Sequence, residues 1–116
     1  MQEEDNQNSD TIEFNSENKK TYVREKDIIY IERVERHIEI ATRSRQYTCC
    51  LSLTEIMKQL GENMVRAAGG CIVNLKHIKS VKGKEVELDN QKKIILGRRF
   101  EAPFKQAYLG YIAKQM

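Results

Sequence analysis

A chain of 116 residues, 40% hydrophobic and 32% charged, can fill one modest core but not two. No apolar run approaches the length of a membrane span and no signal-peptide pattern opens the chain, which predicts a soluble, cytoplasmic protein. The net charge of +3 hides an asymmetry: residues 1–10 hold four acids and no base, residues 11–75 ten bases against nine acids, and residues 76–105 nine bases against four acids.

Residues 1–10 lack hydrophobic periodicity and are expected to form a disordered acidic tail or linker, with one folded domain over residues 11–116. Thr11–Phe14 alternates polar and apolar, Asn15–Asn18 is a turn cluster, and Lys19–Val23 returns as a second strand. Arg24–Asp27 is a polar connector. Asp27–Glu32 is apolar enough to predict a strand buried on both faces. Arg36–Thr42 alternates, with His37, Glu39 and Ala41 on one face and Ile38 and Ile40 on the other. Arg43-Ser44 turns the chain into a strand over Arg45–Leu51.

The period then changes. Ser52-Leu-Thr-Glu55 has the form of a capping box, and Leu53, Ile56, Met57 and Leu60 fall at helical spacing before Gly61. This predicts a two-turn helix. Met64–Val73 is β-like but interrupted by Ala67-Ala68-Gly69-Gly70. Asn74–His77 has the form of a helical turn capped by Asn74. Ile78–Lys82 and Glu85–Leu88 flank a Gly83-Lys84 hairpin, and Asp89–Gln91 turns into Lys92–Leu96. Gly97 ends that strand. Pro103 suits the first turn of a final helix, whose apolar face would be Phe104, Ala107, Tyr108 and Ile112. The prediction is eight to ten short strands in an antiparallel, mostly β domain, with one short inner helix and a C-terminal helix.

Three cysteines without a secretory signal argue against a disulfide framework, and Cys49, Cys50 and Cys71 are expected to be buried or half-buried thiols. No metal-ligand spacing, paired carboxylates, nucleophile elbow or phosphate loop is present, so no enzyme, metal, cofactor or small-molecule substrate is expected. The basic stretch over residues 76–105 is either an electrostatic footprint for a phosphate backbone or a solvated lysine face.

The order of these pieces resembles the LytTR DNA-binding domain family, the output domains of many bacterial response regulators in two-component systems. Asp27-Ile-Ile-Tyr-Ile-Glu32 is similar to the family's early hydrophobic strand. Met64-Val-Arg66 and Cys71-Ile-Val-Asn-Leu-Lys-His-Ile78 are similar to its F-x-R-x-H-R-S-Y-x-V-N-x-x-x-I motif, and Leu96-Gly-Arg-Arg99 to its V-S-R-R segment. The resemblance covers about residues 11–112. It implies an elongated stack of antiparallel β-sheets and loops, rather than a recognition helix, set into major grooves. It also implies paired or repeated sites in double-stranded DNA, bound by a homodimer.

Carried over by position, the resemblance makes Arg36, His37, Arg98 and Arg99 the candidates for base contact, since arginine suits a bidentate contact to guanine. Each has a plainer alternative, as a solvated pair before a helix or a surface strand residue. Gly69 and Gly70, which stand where family members commonly carry polar side chains, offer only backbone N–H groups to phosphate. Lys76, Lys79, Lys82, Lys92 and Lys93 are candidate phosphate contacts. Arg66 is either a phosphate contact or a strand-edge residue, and Asn74 fits a structural cap better than a contact. The bare loop leaves a second possibility, a scaffold that has lost base reading and acts as a protein-interaction or antagonist module. Only ten residues precede the first strand, so the chain is expected to be either a stand-alone regulator or a piece of a longer protein.

Overall fold

A computed structural model describes residues 10–116, and the predicted acidic tail, apart from Asp10, lies outside the described residues. β1 (Thr11–Ser16) and β2 (Lys19–Arg24) form a hairpin in which Ile12 faces Val23. Five strands form the central sheet in the order β5-β4-β3-β7-β6: β3 (Ile28–Val34), β4 (His37–Thr42), β5 (Gln46–Cys49), β6 (Met64–Ala68) and β7 (Cys71–Asn74). β8 (Ile78–Lys82), β9 (Glu85–Leu88) and β10 (Lys93–Ile95) form a third sheet. All pairs are antiparallel. No described helix is long and apolar enough to cross a membrane.

The central sheet is apolar on both faces because it is covered on both. One face packs Ile28, Ile31, Ile38, Ile40 and Ile72 against the β1–β2 hairpin and the inner helix. The other packs Tyr30, Ala41 and Val73 against Val86, Leu88, Ile94 and the C-terminal Phe104. Each fully buried isoleucine contributes roughly 1.5–3 kcal/mol relative to exposure. A bulge in β3 makes this possible: Ile28 pairs with Thr42 and Tyr30 with Ala41, leaving Ile29 unopposed. Ile29 and Tyr30 therefore serve the same core while Ile28 and Ile31 serve the other. The layers stack into a body of 39 × 37 × 24 Å.

The inner helix α1 (Leu53–Met57) carries the predicted capping box. Glu55 N–H donates to Ser52 Oγ at 3.1 Å and Ser52 N–H to Glu55 Oε1 at 3.0 Å. It is shorter than the two turns predicted, because after Met57 the bonds tighten to i→i−3, as in Gln59 N–H to Ile56 O at 3.0 Å. Arg24–Asp27, read as a connector, ends in a 3₁₀ turn over Glu25–Asp27. A second 3₁₀ turn, Leu75–His77, follows β7. The two turns are tied together. Asn74 Nδ2 donates to Ile28 O at 2.8 Å and its Oδ1 accepts from Lys76 N–H at 3.0 Å, while His77 Nε2 lies 2.7 Å from Lys26 O. Asn74 is thus the structural cap its type and position predict.

Two expectations need correction. The C-terminal helix α2 (Glu101–Gln115) buries Phe104 and half-buries Ala107, Tyr108 and Tyr111, whereas Ile112 is exposed. At 3.6 residues per turn, Tyr111 returns to within about 20° of Phe104, while Ile112 swings about 80° away. Cys49 and Cys71 are buried, but Cys50 is exposed, since neighbours on an extended chain point to opposite sides.

Candidate nucleic-acid interface

Antiparallel pairing decides where the loops go. The β3–β4 turn (Glu35, Arg36), the exit from β5 (Cys50–Ser52) and the β6–β7 turn (Gly69, Gly70) all leave the same end of the central sheet. The chain joins them again after β10, where Gly97 N–H donates to Ala67 O at 2.8 Å and places Arg98, Arg99 and Phe100 beside the β6–β7 turn. The β8–β9 tip follows, because Leu96 N–H donates to Lys84 O at 2.8 Å. Loops far apart in sequence thereby form one basic end.

In the β3–β4 turn Val34 pairs with His37, and Glu35 adopts φ 57°. Arg36 is exposed. His37 is half-buried, with Nε2 3.5 Å from Glu39 Oε2, while Gln46 Nε2 donates to Glu39 Oε1 at 2.6 Å. Arg33, Arg36 and His37 border a shallow depression with Cys50, Ser52 and Glu55.

The glycine turn has no conformational need for glycine. Among the glycines only Gly83 has positive φ, at 58°. A Cβ added at Gly69 would meet nothing within 4 Å, and one at Gly70 would touch only Arg33 Cβ at 3.6 Å. Gly97 is different: its Cβ would lie 3.2 Å from Phe100 Cδ2 and 3.4 Å from Ala68 Cα, so this segment packs closely against the glycine turn. Arg66 points back along the turn, with Nη2 donating to Gly69 O at 2.8 Å and its guanidinium 5.5 Å from the Phe100 ring centre. Arg99 lies over the same ring at 5.8 Å. Arg98 and Arg99 border this junction, and both are exposed.

The lysines divide. Lys82 flanks the β8–β9 tip, at the basic end. Lys79 is the unopposed residue of a bulge in β8. Lys92 Nζ lies 3.4 Å from Glu32 Oε1 and 5.3 Å from the Tyr30 ring centre. Partial burial opposes its charge, but Tyr30 and Glu32 outweigh that and hold its pKa above the usual lysine value. Lys93 pairs with Glu85 at 3.5 Å. Lys76 belongs to the Leu75–His77 turn, at the opposite end of the sheet.

Sequence reasoning passes over Arg33, Lys84 and Phe100 at the basic end. Arg33 N–H donates to Gly70 O at 2.8 Å, which binds β3 to the glycine turn. Lys84 is visible in the sequence as half of a hairpin tip, but only the Leu96 pairing brings that tip to the other loops. The opposite end of the sheet also carries bases, among them Arg24, Lys26 and Arg43, together with Asp10, Glu25, Asp27 and Asp89. Charge alone therefore does not choose between the ends. Among the described residues no group of three or more His, Cys, Asp or Glu is arranged to hold a metal ion.

A family model described as the LytTr DNA-binding domain matches residues 14–109. Among solved structures, the chain is similar to one described as the LytTr DNA-binding domain of a putative methyl-accepting/DNA response regulator from Bacillus cereus. The two share 17% identity at a TM-score of 0.73, covering 84% of this chain and 95% of that one. None of the curated proteins matches.

Proposed function

Because the chain belongs to the LytTr DNA-binding domain family, we propose that it is a sequence-specific transcriptional regulator that sets its basic end against double-stranded DNA. The observation that carries this reading is the convergence of the β3–β4, β6–β7 and β10–α2 loops at one end of the sheet. In it, Arg36, His37, Arg98 and Arg99 approach base edges, and Lys82, Lys84 and the N–H groups of Gly69 and Gly70 hold phosphates. Lys92 and Lys93 would contribute only after leaving Glu32 and Glu85, and Lys76 belongs to the turn at the opposite end of the sheet. Recognition by a homodimer on paired sites, as the output of a cytoplasmic bacterial response regulator, completes the proposal.

Selection from a random DNA library tests it. An enriched motif with a repeated half-site is expected, with affinity falling about a thousandfold between 50 and 200 mM salt for roughly six phosphate contacts. Replacing Arg98 and Arg99 together by Ala should cost about 1–3 kcal/mol of discrimination for each base no longer read. No enrichment, or unchanged discrimination in that variant, overturns the base-reading assignment. The side-chain-free Gly69-Gly70 turn favours one alternative outcome, a domain that binds protein partners through the same end.

A further inference from the structure

Arg66 is half-buried at the junction of the glycine turn and the segment before α2. Its Nη2 donates to Gly69 O at 2.8 Å, and its Nε lies 3.5 Å from Ala68 O. Its guanidinium carbon lies over the Phe100 ring, 5.5 Å from the ring centre, and that of Arg99 lies over the same ring at 5.8 Å. The strand bulges here, since Arg66 pairs with Ile72 and Ala68 with Cys71, leaving Ala67 unopposed. The Ala67 carbonyl is free of the ladder and accepts the Gly97 N–H at 2.8 Å.

These contacts suit a strut better than a phosphate ligand. A guanidinium has five N–H donors in a rigid fork and a flat face that stacks on aromatic rings. Here the fork is turned onto the carbonyls of the turn, and the guanidinium sits over the ring of the neighbouring loop. The turn it braces has no side chains of its own to hold it: Gly69 and Gly70 carry none, and Arg33 N–H, bonded to Gly70 O, ties it to β3. We infer that Arg66 is a positioning residue, clamping the Gly69-Gly70 turn to the Arg98–Phe100 segment so that the two loops meet DNA at a fixed spacing. This rests on the proposed DNA reading for its purpose, but the clamp itself is a property of the free protein.

Two measurements on the whole chain test it. In the free protein, Arg66→Ala should speed amide exchange of Arg33 and Gly97 by about tenfold or more, while core amides such as Ile31 and Ile72 are unchanged. Phe100→Leu, which removes the ring and keeps an apolar side chain, should loosen Gly97 in the same way and guards against misfolding of the first variant. On DNA, Arg66→Ala and Arg66→Lys should both lower the ratio of cognate to scrambled affinity about tenfold, because lysine keeps the charge but has neither fork nor flat face. The salt slope should stay as it is in both. A direct phosphate contact behaves oppositely: Arg66→Ala would reduce the slope of log K against log salt by about 0.9, and Arg66→Lys would restore it with discrimination intact. That pattern overturns the inference, as does unaltered exchange at both amides. If the unaltered chain binds no DNA, the proposed function fails, and the exchange result alone decides for or against the clamp.

Discussion

Glu35 offers a perturbation with two separable effects. It holds φ 57° in a two-residue turn between the paired Val34 and His37. In such turns the first central position, when left-handed, favours glycine. A side chain in that region costs roughly 1–2 kcal/mol, against which glycine loses roughly 0.5–1 kcal/mol of extra backbone entropy. Glu35→Gly should therefore stabilise the domain by about 0.5–1 kcal/mol, raising Tm by about 2–6 °C for a domain near 100 residues. Glu35 is also an acid beside Arg36 at the proposed DNA-facing end. A unit charge about 8 Å from a phosphate in water is worth about 0.5 kcal/mol, so its removal should tighten low-salt DNA binding about twofold. Glu35→Gln isolates the second effect, since it keeps the side chain at positive φ and removes only the charge. Thermal melts and low-salt DNA titrations on both variants give the answer. Glu35→Gly melting no higher than Glu35→Gln would refute the strain argument, and equal DNA affinity in all three proteins would refute the electrostatic one.

Thiol reactivity follows from burial: Cys71 is pushed up to about 12 and Cys49 is also raised, chiefly by desolvation. A native-state thiol titration at about pH 8 should therefore find one fast thiol, Cys50, and all three only after denaturation; a second fast thiol contradicts the packing. Glu25 is half-buried, and desolvation raises its pKa despite the Gly61 N–H at 2.9 Å from its Oε1. A carboxyl raised in the folded state adds stability below its unfolded pKa and loses it as pH rises through the folded one. Glu25→Gln should thus unfold like the parent at about pH 3.5 and be the more stable at about pH 7; the reverse order in denaturant titrations rules the argument out. Gly69→Ala should raise stability by about 0.4–1 kcal/mol, since φ is not positive there and the Cβ meets open space. A lower Tm in that variant counts against the described turn.

Most elements are legible from local pattern, because each strand is short, alternating and bounded by a turn. The Ser52–Glu55 box and the Gly83-Lys84 tip lie where their residues predict. What local pattern does not supply is which turns share an end of the sheet. Arg33 lies just past the predicted Asp27–Glu32 strand, and nothing local shows that Gly70 accepts its N–H. Arg66 reads as either a phosphate contact or a strand-edge residue, and nothing local shows that its fork meets the Gly69 carbonyl. Lys92 reads as a free lysine until Glu32 and Tyr30 are found beside it. Ile112 is misplaced by its sequence because a run of apolar residues on a helix does not say which of two overlapping faces docks.

The segment that carries the most specific likeness to the family is built into the scaffold. In Cys71–Ile78, Ile72 and Val73 face opposite cores, Asn74 ties the strand end to Ile28, and His77 contacts Lys26 O. These residues join the central sheet to its two flanking layers at the end away from the loops. A motif of this kind identifies a scaffold, since its residues are constrained by each other. The loops at the basic end are constrained mainly by backbone bonds, such as Gly97 to Ala67 and Arg33 to Gly70, and apart from the tightly packed Gly97 these bonds make few demands on side chains. On the proposed reading, base preference would change at Arg36, Gly69 and Arg98 with little cost to the fold, whereas Arg66 and Gly97, whose own atoms hold the loops together, would set the spacing within which such changes operate.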